Sequence, residues 1–300
     1  MSTKGEKTSY CIYSGKYLPN AALSKEHIVP KSLGGNKDLL IKVSSDLNSR
    51  IGTEVDAKVA NDSLIVFGRM KVGARGRSKQ EPVPTFNSAT AWKRGDPWGE
   101  GKPNFRIKIT NSEAQVFDLK KRESVPSSVF YDTGFVSYFT IDSVARLKFV
   151  VKVLLGFGWK LYGLEFERAF DAGALRNILF GAPYSPDNGA PLRGSYFDEF
   201  MDAPEEARRH LALIKAIMCR EEKLTLLINE MPEWVEFAVS CFGYLVGVVH
   251  FALKSPIRGE NNKFLFVFDK AGMSEQIKLN DDQLGAIFPE IRPLFNPAQS

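Results

Sequence analysis

The amino-acid sequence predicts an α+β fold: a small N-terminal strand–strand–helix unit, then a larger α+β region with helices first and a mostly antiparallel sheet after. Three patterns carry this prediction. Short β-branched runs and one segment of helical periodicity lie before residue 62. A strongly apolar segment of helical length spans 143–162, and five strand-like runs follow residue 223. We divide the chain into an N-terminal domain at 1–75, a linker or insertion at 76–104 and a second domain at 105–300.

The N-terminal unit is predicted from short runs that end at turn residues or at proline. In order, its elements are a strand at 9–15, a turn at 17–24, a strand at 26–30, a loop at 32–36, a strand at 39–43 and a helix at 44–61. Ser45 can cap the helix. The apolar residues Ile51, Val55 and Val59 recur every fourth position, which places them on one side of it.

The larger region follows a segment, 68–103, that is rich in Gly, Pro, Arg, Lys and Ser and is typical of a linker or a surface insertion. Two strands within 105–118 form a predicted hairpin around Asn111. Helices are predicted at 143–162, 164–180 and 204–220, and the last of these is amphipathic. The strand-like runs after residue 223 are LTLLINE, WVEFAVSCF, YLVGVVHFAL, KFLFVF and EQIKL.

The charge of the chain is unevenly distributed. Residues 1–80 contain 14 Lys and Arg against 7 Asp and Glu, a balance of +7, whereas the whole chain has a net charge of +5. The remaining 220 residues therefore sum to −2. A positive N-terminal part beside a near-neutral remainder favours a polyanionic partner.

The cysteine content and the hydropathy indicate a cytoplasmic protein with no membrane partner. Cys11, Cys219 and Cys241 lie far apart and form neither a disulfide framework nor a C-x-x-C pair. No run of about 18 uncharged apolar residues is present. The nearest approach, 237–253, carries glycines and a histidine and is predicted to form buried strands. The polar N-terminus does not have the apolar core of a signal peptide.

One motif carries chemistry. The segment 24–35 reads SKEHIVPKSLGG and contains Glu26 and His27; Asn48 follows His27 by 21 residues, and Gly52 and Asp56 come after it. This pattern resembles the ββα-metal fold of HNH endonucleases, with an acidic-His-Ile-x-Pro strand, Leu-Gly-Gly and an asparagine at the helix. The resemblance covers roughly residues 11–62 and does not extend to the second region.

The resemblance implies a role for each residue of the motif. His27 is the general base, since a neutral imidazole accepts a proton at physiological pH. Glu26 and the side-chain carbonyl oxygen of Asn48 are ligands of a Mg²⁺ or Mn²⁺ ion, which prefers oxygen ligands and acts as a Lewis acid. Adjacent strand residues point to opposite sides, so Glu26 and His27 can serve one site only at a bulge or a strand end.

Each residue also has a structural alternative. His27 can be a surface strand histidine, Glu26 an exposed carboxylate paired with a neighbouring lysine, and Asn48 a helix cap. Asp56 is a supporting residue that orients a histidine or Arg50, or else forms a buried salt bridge. Gly34 and Gly35 are assigned no catalytic or metal-binding role and are interpreted as turn glycines.

The sequence departs from the family at the structural zinc. Many HNH proteins hold this ion with two C-x-x-C pairs. Here Cys11 remains, but the other three positions are Ser14, Ser44 and Leu47. We therefore expect no structural zinc, and we expect packing against the rest of the chain to brace the unit. The same departure leaves open an inactive domain.

A basic cluster follows the motif helix and is a candidate for nucleic-acid binding, with a solvated linker as the alternative. It consists of Arg69, Lys71, Arg75, Arg77 and Lys79. The other two histidines carry no predicted function: His210 is interpreted as solvated and His250 as a satisfied core histidine. The second region shows no clustered set of histidines and carboxylates in sequence.

These observations favour an endonuclease that cleaves double-stranded DNA with Mg²⁺ or Mn²⁺. Residues 105–300 would form a recognition or regulatory domain, which recognises a DNA sequence, a modified base or a signal. Restriction or phage defence is a setting suggested by analogy. A nucleic-acid-binding or sensor protein with an inactive HNH domain is the second hypothesis, and an unrelated α+β enzyme is the third. The sequence is compatible with a homodimer and does not determine the oligomeric state.

Overall fold

The N-terminal part of the computed structural model consists of two antiparallel hairpins followed by helices. The structure describes residues 7–76, 79–92, 104–110, 112–130, 134–137, 141–181, 196–201, 204–231, 233–255 and 263–279. Strands β1 (Thr8–Cys11) and β2 (Lys16–Pro19) pair with each other, as do β3 (Leu23–His27) and β4 (Leu40–Ser44). The turn predicted at 17–24 is wrong, since β2 and the start of β3 occupy it.

A long helical segment follows β4 without a break, as predicted. It consists of α1 (Ser45–Ile51), a π-helical turn (Gly52–Asp56) and α2 (Ala57–Ala60), and α3 (Ser63–Lys71) comes next. The cap is Ser44 rather than Ser45, because the Ser44 hydroxyl accepts a hydrogen bond from Leu47 N at 3.5 Å. The predicted apolar stripe is confirmed: its three members are at most 2% exposed.

A five-stranded antiparallel sheet comes next in the chain. Its strands are β5 (Thr85–Trp92), β6 (Phe105–Ile109), β7 (Ala114–Asp118), β8 (Glu123–Val125) and β9 (Gly134–Ser137), in the spatial order β8-β7-β6-β5-β9. The predicted hairpin at 105–118 is confirmed. Strand β5 lies inside the segment interpreted as a linker or a surface insertion, so residues 85–92 belong to a sheet and are not a simple linker.

The remaining chain forms helices and then, as predicted, an antiparallel sheet, which has a sixth, unpredicted strand from before the last of these helices. The helices are α4 (Ser143–Tyr162), α5 (Leu164–Ala169), α6 (Ala172–Phe180) and α7 (Glu205–Met218). The strands are β10 (Tyr196–Phe197), β11 (Leu224–Glu230), β12 (Trp234–Cys241), β13 (Tyr244–Ala252), β14 (Lys263–Phe268) and β15 (Met273–Lys278), in the order β10-β13-β12-β11-β14-β15. The single helix predicted at 164–180 is two helices, because Asp171 caps a new one by accepting from Ala174 N at 3.0 Å.

The six-stranded sheet is apolar on both faces. Alternate residues of β14 show this: Phe266 and Phe268 lie in the larger core, whereas Leu265 and Val267 lie in a second core with α7. Helix α4 packs in the larger core. The sheet is therefore the middle layer between α7 on one side and α4 with the N-terminal unit on the other.

The N-terminal unit shares its hydrophobic core with the C-terminal region. Ile28 and Val55 from the former and Phe149 and Phe237 from the latter belong to one cluster of buried residues. At the contact, a Cβ placed on Gly156 of α4 would lie 2.9 Å from Ile28 Cγ1. This packing agrees with the expectation that the rest of the chain braces the N-terminal unit.

A buried ion pair fastens α3 to the same region. The Arg146 guanidinium donates to both carboxylate oxygens of Asp62 at 2.8 and 2.9 Å, and both side chains are at most 4% exposed. Asp62 also caps α3 by accepting from Leu64 N at 3.0 Å. Because Arg146 lies in the first turn of α4, the pair fixes the start of α4 against the N-terminal helices.

A fragment that ends near residue 100 is expected to be poorly stable, because the apolar surface that packs on α4 would be exposed to water. Circular dichroism during heating, compared with the full chain, measures this. We expect the fragment to unfold without a sharp cooperative transition. A cooperative transition with the midpoint of the full chain would show that the shared core is not needed.

Candidate functional site

His27 is the last residue of β3, so the strand ends there and not at Pro30 as predicted. Of the two alternatives left open for Glu26 and His27, a bulge or a strand end, the structure has a strand end. It pairs in register with Leu40 of β4, and its side chain is half-buried. The backbone of the next residue also contacts the segment before β4, since Ile28 N donates to Leu39 O at 2.8 Å. The backbone at His27 is therefore held on both sides of the residue.

Two glycines shape the loop that follows. Gly34 has a φ of +92°, a left-handed conformation that favours glycine. A Cβ on Gly35 would lie 1.6 Å from the carbonyl oxygen of Val29, which no side chain can occupy. Gly35 N donates to Pro30 O at 3.0 Å. The interpretation as turn glycines is confirmed, and the tight loop returns directly onto the end of β3.

Asn48 lies on α1 and faces β3. Its Nδ2 atom donates to Ser24 Oγ at 2.9 Å and to the carbonyl oxygen of Lys25 at 3.3 Å. Among the described residues, none donates a hydrogen bond to its Oδ1 atom. Asn48 is not the helix cap, a position that belongs to Ser44. Its amide is thus fixed to the strand of His27, and its oxygen is the atom with accepting capacity left.

Glu26 points into the protein and is 5% exposed. Its Oε1 atom lies 2.6 Å from Nζ of Lys152, a residue of α4 that is fully buried. The expected alternative of an exposed carboxylate beside a neighbouring lysine is wrong, because the partner comes from a helix more than 100 residues away. An ammonium group therefore occupies one side of the carboxylate that was predicted to bind metal.

Lys152 connects three parts of the site. Besides Glu26, its Nζ atom donates to the two oxygens of Asp56 at 2.8 and 2.9 Å and to the backbone carbonyl of His27 at 3.2 Å. Burial by itself lowers the pKa of Lys152, but the charges of Asp56 and Glu26 outweigh burial and raise it. Lys152 consequently remains charged and holds β3 and the long helical segment to α4.

Asp56 forms the buried salt bridge that was one of its predicted alternatives. It does not pair with Arg50, whose Nε donates to both oxygens of Glu54 at 3.0 Å. The π-helical turn 52–56 explains the direction of Asp56, because a π turn inserts an extra residue and rotates the positions that follow it. Asp56 therefore reaches Lys152 on α4.

Cys11, Ser14, Ser44 and Leu47, the four positions compared above with zinc ligands of HNH proteins, are linked by hydrogen bonds. Ser44 N donates to Cys11 Sγ at 3.1 Å, and the Ser14 hydroxyl donates to the carbonyl oxygen of Cys11 at 3.4 Å. Leu47 completes the group through its hydrogen bond to Ser44. Hydrogen bonds join the first hairpin to the start of α1 at this place.

Comparison with protein-family models, curated proteins and solved structures finds no match to this chain. Any functional assignment therefore rests on the residues and on their arrangement in the fold.

The basic cluster is only partly available to a ligand. Arg69 is buried, and its guanidinium donates to the carbonyl oxygens of Ala60 and Ala74 at 2.6 and 3.3 Å, so its predicted role in phosphate binding does not fit this arrangement. Lys71 pairs with Glu221, Arg75 pairs with Glu81, and Lys79 is exposed. Arg77 lies outside the described residues.

A second group of polar residues was missed in the sequence. His210 of α7, Glu236 of β12 and His250 of β13 meet on the α7 face of the large sheet. His250 Nε2 lies 2.7 Å from Glu236 Oε2, and His210 Nε2 hydrogen-bonds to the same oxygen. His210 is thus not simply solvated. The second region does contain a clustered set of histidines and a carboxylate, contrary to the expectation.

The electrostatics of this group follow from burial and hydrogen bonding. Burial by itself raises the pKa of Glu236, but hydrogen bonds from His210 and His250 outweigh burial and hold the pKa at about 2. The hydrogen bond between His210 and Glu236 also raises the pKa of His210. The strand register places Glu236 opposite His250, a pairing that spacing in the sequence does not reveal.

Among the helices of the described ranges, none is long and apolar enough to cross a membrane.

Proposed function

We propose that the chain is a metal-dependent endonuclease that hydrolyses phosphodiester bonds of double-stranded DNA, with an N-terminal unit of the HNH type. The observation that carries the proposal is the arrangement of His27 and Asn48. His27 ends β3, and the Asn48 amide is hydrogen-bonded to the same strand from the helix that follows β4. The convergence of positions 11, 14, 44 and 47 further supports a relationship to the HNH unit.

In this proposal His27 is the general base. Its half-buried imidazole accepts the proton of a water molecule that attacks phosphorus. The backbone around His27 is fixed by its pairing with β4 and by Lys152, which donates to the His27 carbonyl oxygen. Such positioning is required because proton transfer depends on hydrogen-bond distance between the base and the water.

In this proposal the groups that would hold a hard divalent cation are oxygen donors. Asn48 would contribute Oδ1, since Nδ2 is used in the hydrogen bonds to β3. Glu26 would contribute its carboxylate, which pairs with Lys152, itself paired with Asp56. A Mg²⁺ or Mn²⁺ ion, when bound, supplies Lewis-acid stabilisation of the phosphate and the leaving oxygen.

DNA would reach the site along the positive N-terminal part. Lys71, Arg75 and Lys79 are exposed, although the first two also pair with glutamates. Surface ion pairs of this kind are weak and are readily exchanged for phosphate contacts. Restriction or phage defence remains a setting suggested by analogy for residues 105–300.

Nicking of supercoiled plasmid tests the proposal. We expect cleavage with Mg²⁺ or Mn²⁺, because oxygen donors favour hard ions. We expect no cleavage with EDTA or in buffer without a divalent ion. An Asn48→Asp variant tests the ligand assignment: a carboxylate retains an oxygen donor, whereas Asn48→Leu removes it. Equal rates for the Asp and Leu variants would contradict a metal-ligand role of Asn48, and full activity in EDTA would contradict the proposal.

The burial of Glu26 against Lys152 favours a second candidate, a nucleic-acid-binding or sensor protein with an inactive unit. A carboxylate already paired with an ammonium group is a poorer metal ligand than an open one. This candidate predicts retention of labelled duplex DNA in a gel-shift assay, with no nicking of plasmids of different methylation at any divalent ion tested.

A further inference from the structure

The large sheet carries a group of metal-ligating side chains on the face away from the N-terminal unit. We propose that His210, Glu236 and His250 bind one transition-metal dication of the Zn²⁺ class. This site is separate from the family's structural zinc at positions 11, 14, 44 and 47, whose absence the sequence predicts. It is also independent of the Mg²⁺-type ion proposed near His27.

The geometry brings three ligand atoms from three elements to one point. One ligand atom from each of the three residues lies within 4.8 Å of the other two. Ligand distances of about 2.0–2.2 Å in a tetrahedral zinc site place neighbouring ligand atoms ~3.3 Å apart. The observed 2.7 Å between His250 Nε2 and Glu236 Oε2 is therefore about 0.6 Å too short. The two histidine side chains are 44% and 31% exposed and can move outward by this amount.

The donor chemistry selects the class of ion. Two imidazole nitrogens and one carboxylate form the donor set of several catalytic zinc sites, whereas Mg²⁺ prefers oxygen ligands alone. The exposed side of the two histidines leaves room for water as a fourth ligand. The two hydrogen bonds from the histidines to Glu236 Oε2 would be lost when a dication binds. The ion would instead be bonded to His210 Nε2, His250 Nε2 and Glu236 Oε2.

The surroundings orient the ligands. Glu236 is 2% exposed, and Asn229 Nδ2 donates to its other oxygen, Oε1, at 3.4 Å. Two aromatic rings pack against the His250 imidazole. The ring centroid of Trp234 lies 5.2 Å from that of His250, and the ring centroid of Phe197 lies 5.5 Å from it. In metal sites, hydrogen bonds to a ligating carboxylate restrict its position. Aromatic packing around an imidazole restricts the ring in the same way.

Metal titration of the full chain tests the site. The protein is stripped with EDTA, dialysed and titrated with Zn²⁺ by calorimetry, and with Co²⁺ by visible absorption. We expect one ion per chain and a Co²⁺ spectrum of four-coordinate type. The variants His210→Ala and His250→Ala should each weaken binding at least about tenfold. Circular dichroism of both variants verifies that they fold.

Two matched controls separate this site from the others. His27→Ala removes the only other histidine, and Cys11→Ser removes the remaining cysteine of the family's zinc positions. Both should bind Zn²⁺ like the wild type. The inference is overturned if the wild-type chain binds no stoichiometric Zn²⁺, if His210→Ala and His250→Ala bind it unchanged, or if binding disappears in either control. None of these outcomes depends on nuclease activity.

Discussion

A His27→Ala variant is expected to nick supercoiled plasmid roughly 10²–10⁴-fold more slowly than the wild-type chain, the usual contribution of a general base. The expectation rests on the place of His27 at the end of β3, where the backbone is fixed and the imidazole is half-buried. Binding of duplex DNA should persist, because the exposed basic residues are untouched. Rates measured at saturating Mg²⁺ and a gel shift without Mg²⁺ separate the two effects.

The control for this experiment is Thr53→Ala. Thr53 lies on the exposed side of the π-helical turn and its hydroxyl donates only to the carbonyl oxygen of Ser49, at 3.2 Å. This variant should nick at the wild-type rate. Wild-type nicking by His27→Ala would remove His27 from the mechanism, and loss of nicking in both variants would point to a general loss of structure.

A Lys152→Met variant is expected to lose about 3–5 kcal/mol of the free energy of unfolding, because it leaves two carboxylates without their shared ammonium group in a buried place. Lys152 is fully buried, and the side chains of Glu26 and Asp56 are 6% and 14% exposed. Urea unfolding followed by circular dichroism measures the change.

Two further variants sharpen this result. Lys58→Met breaks an exposed pair with Asp142, whose members are 56% and 47% exposed, and should cost no more than about 1 kcal/mol. The triple variant Glu26→Gln, Asp56→Asn, Lys152→Met removes all three charges and should recover part of the stability that Lys152→Met loses. If Lys152→Met were as stable as Lys58→Met, the buried group would not hold the site together.

The local structure around the motif was predicted in part, because its information is local. The turn at Gly34 and Gly35 and the helix after β4 follow from residue types and spacing within about 35 residues. The strand was placed at 26–30, whereas in the structure it ends at His27. The partners of Glu26 and Asp56 were not predicted, because Lys152 is remote in sequence and sits in an apolar helix. The direction of Asp56 also depends on a π turn, which regular helical spacing does not anticipate.

The sequence by itself determined the α+β class, the order of most helices and strands and the segment around His27, since hydrophobic periodicity, caps and turn residues act over a few neighbours. Only the tertiary structure decided that the N-terminal unit shares its core with α4 and the large sheet. It alone brought Lys152 to Glu26 and brought His210 and His250 to Glu236. The reason is physical: strand register and helix packing are set by burial of apolar surface contributed by distant parts of the chain, so the polar groups that come together with it cannot be read from spacing.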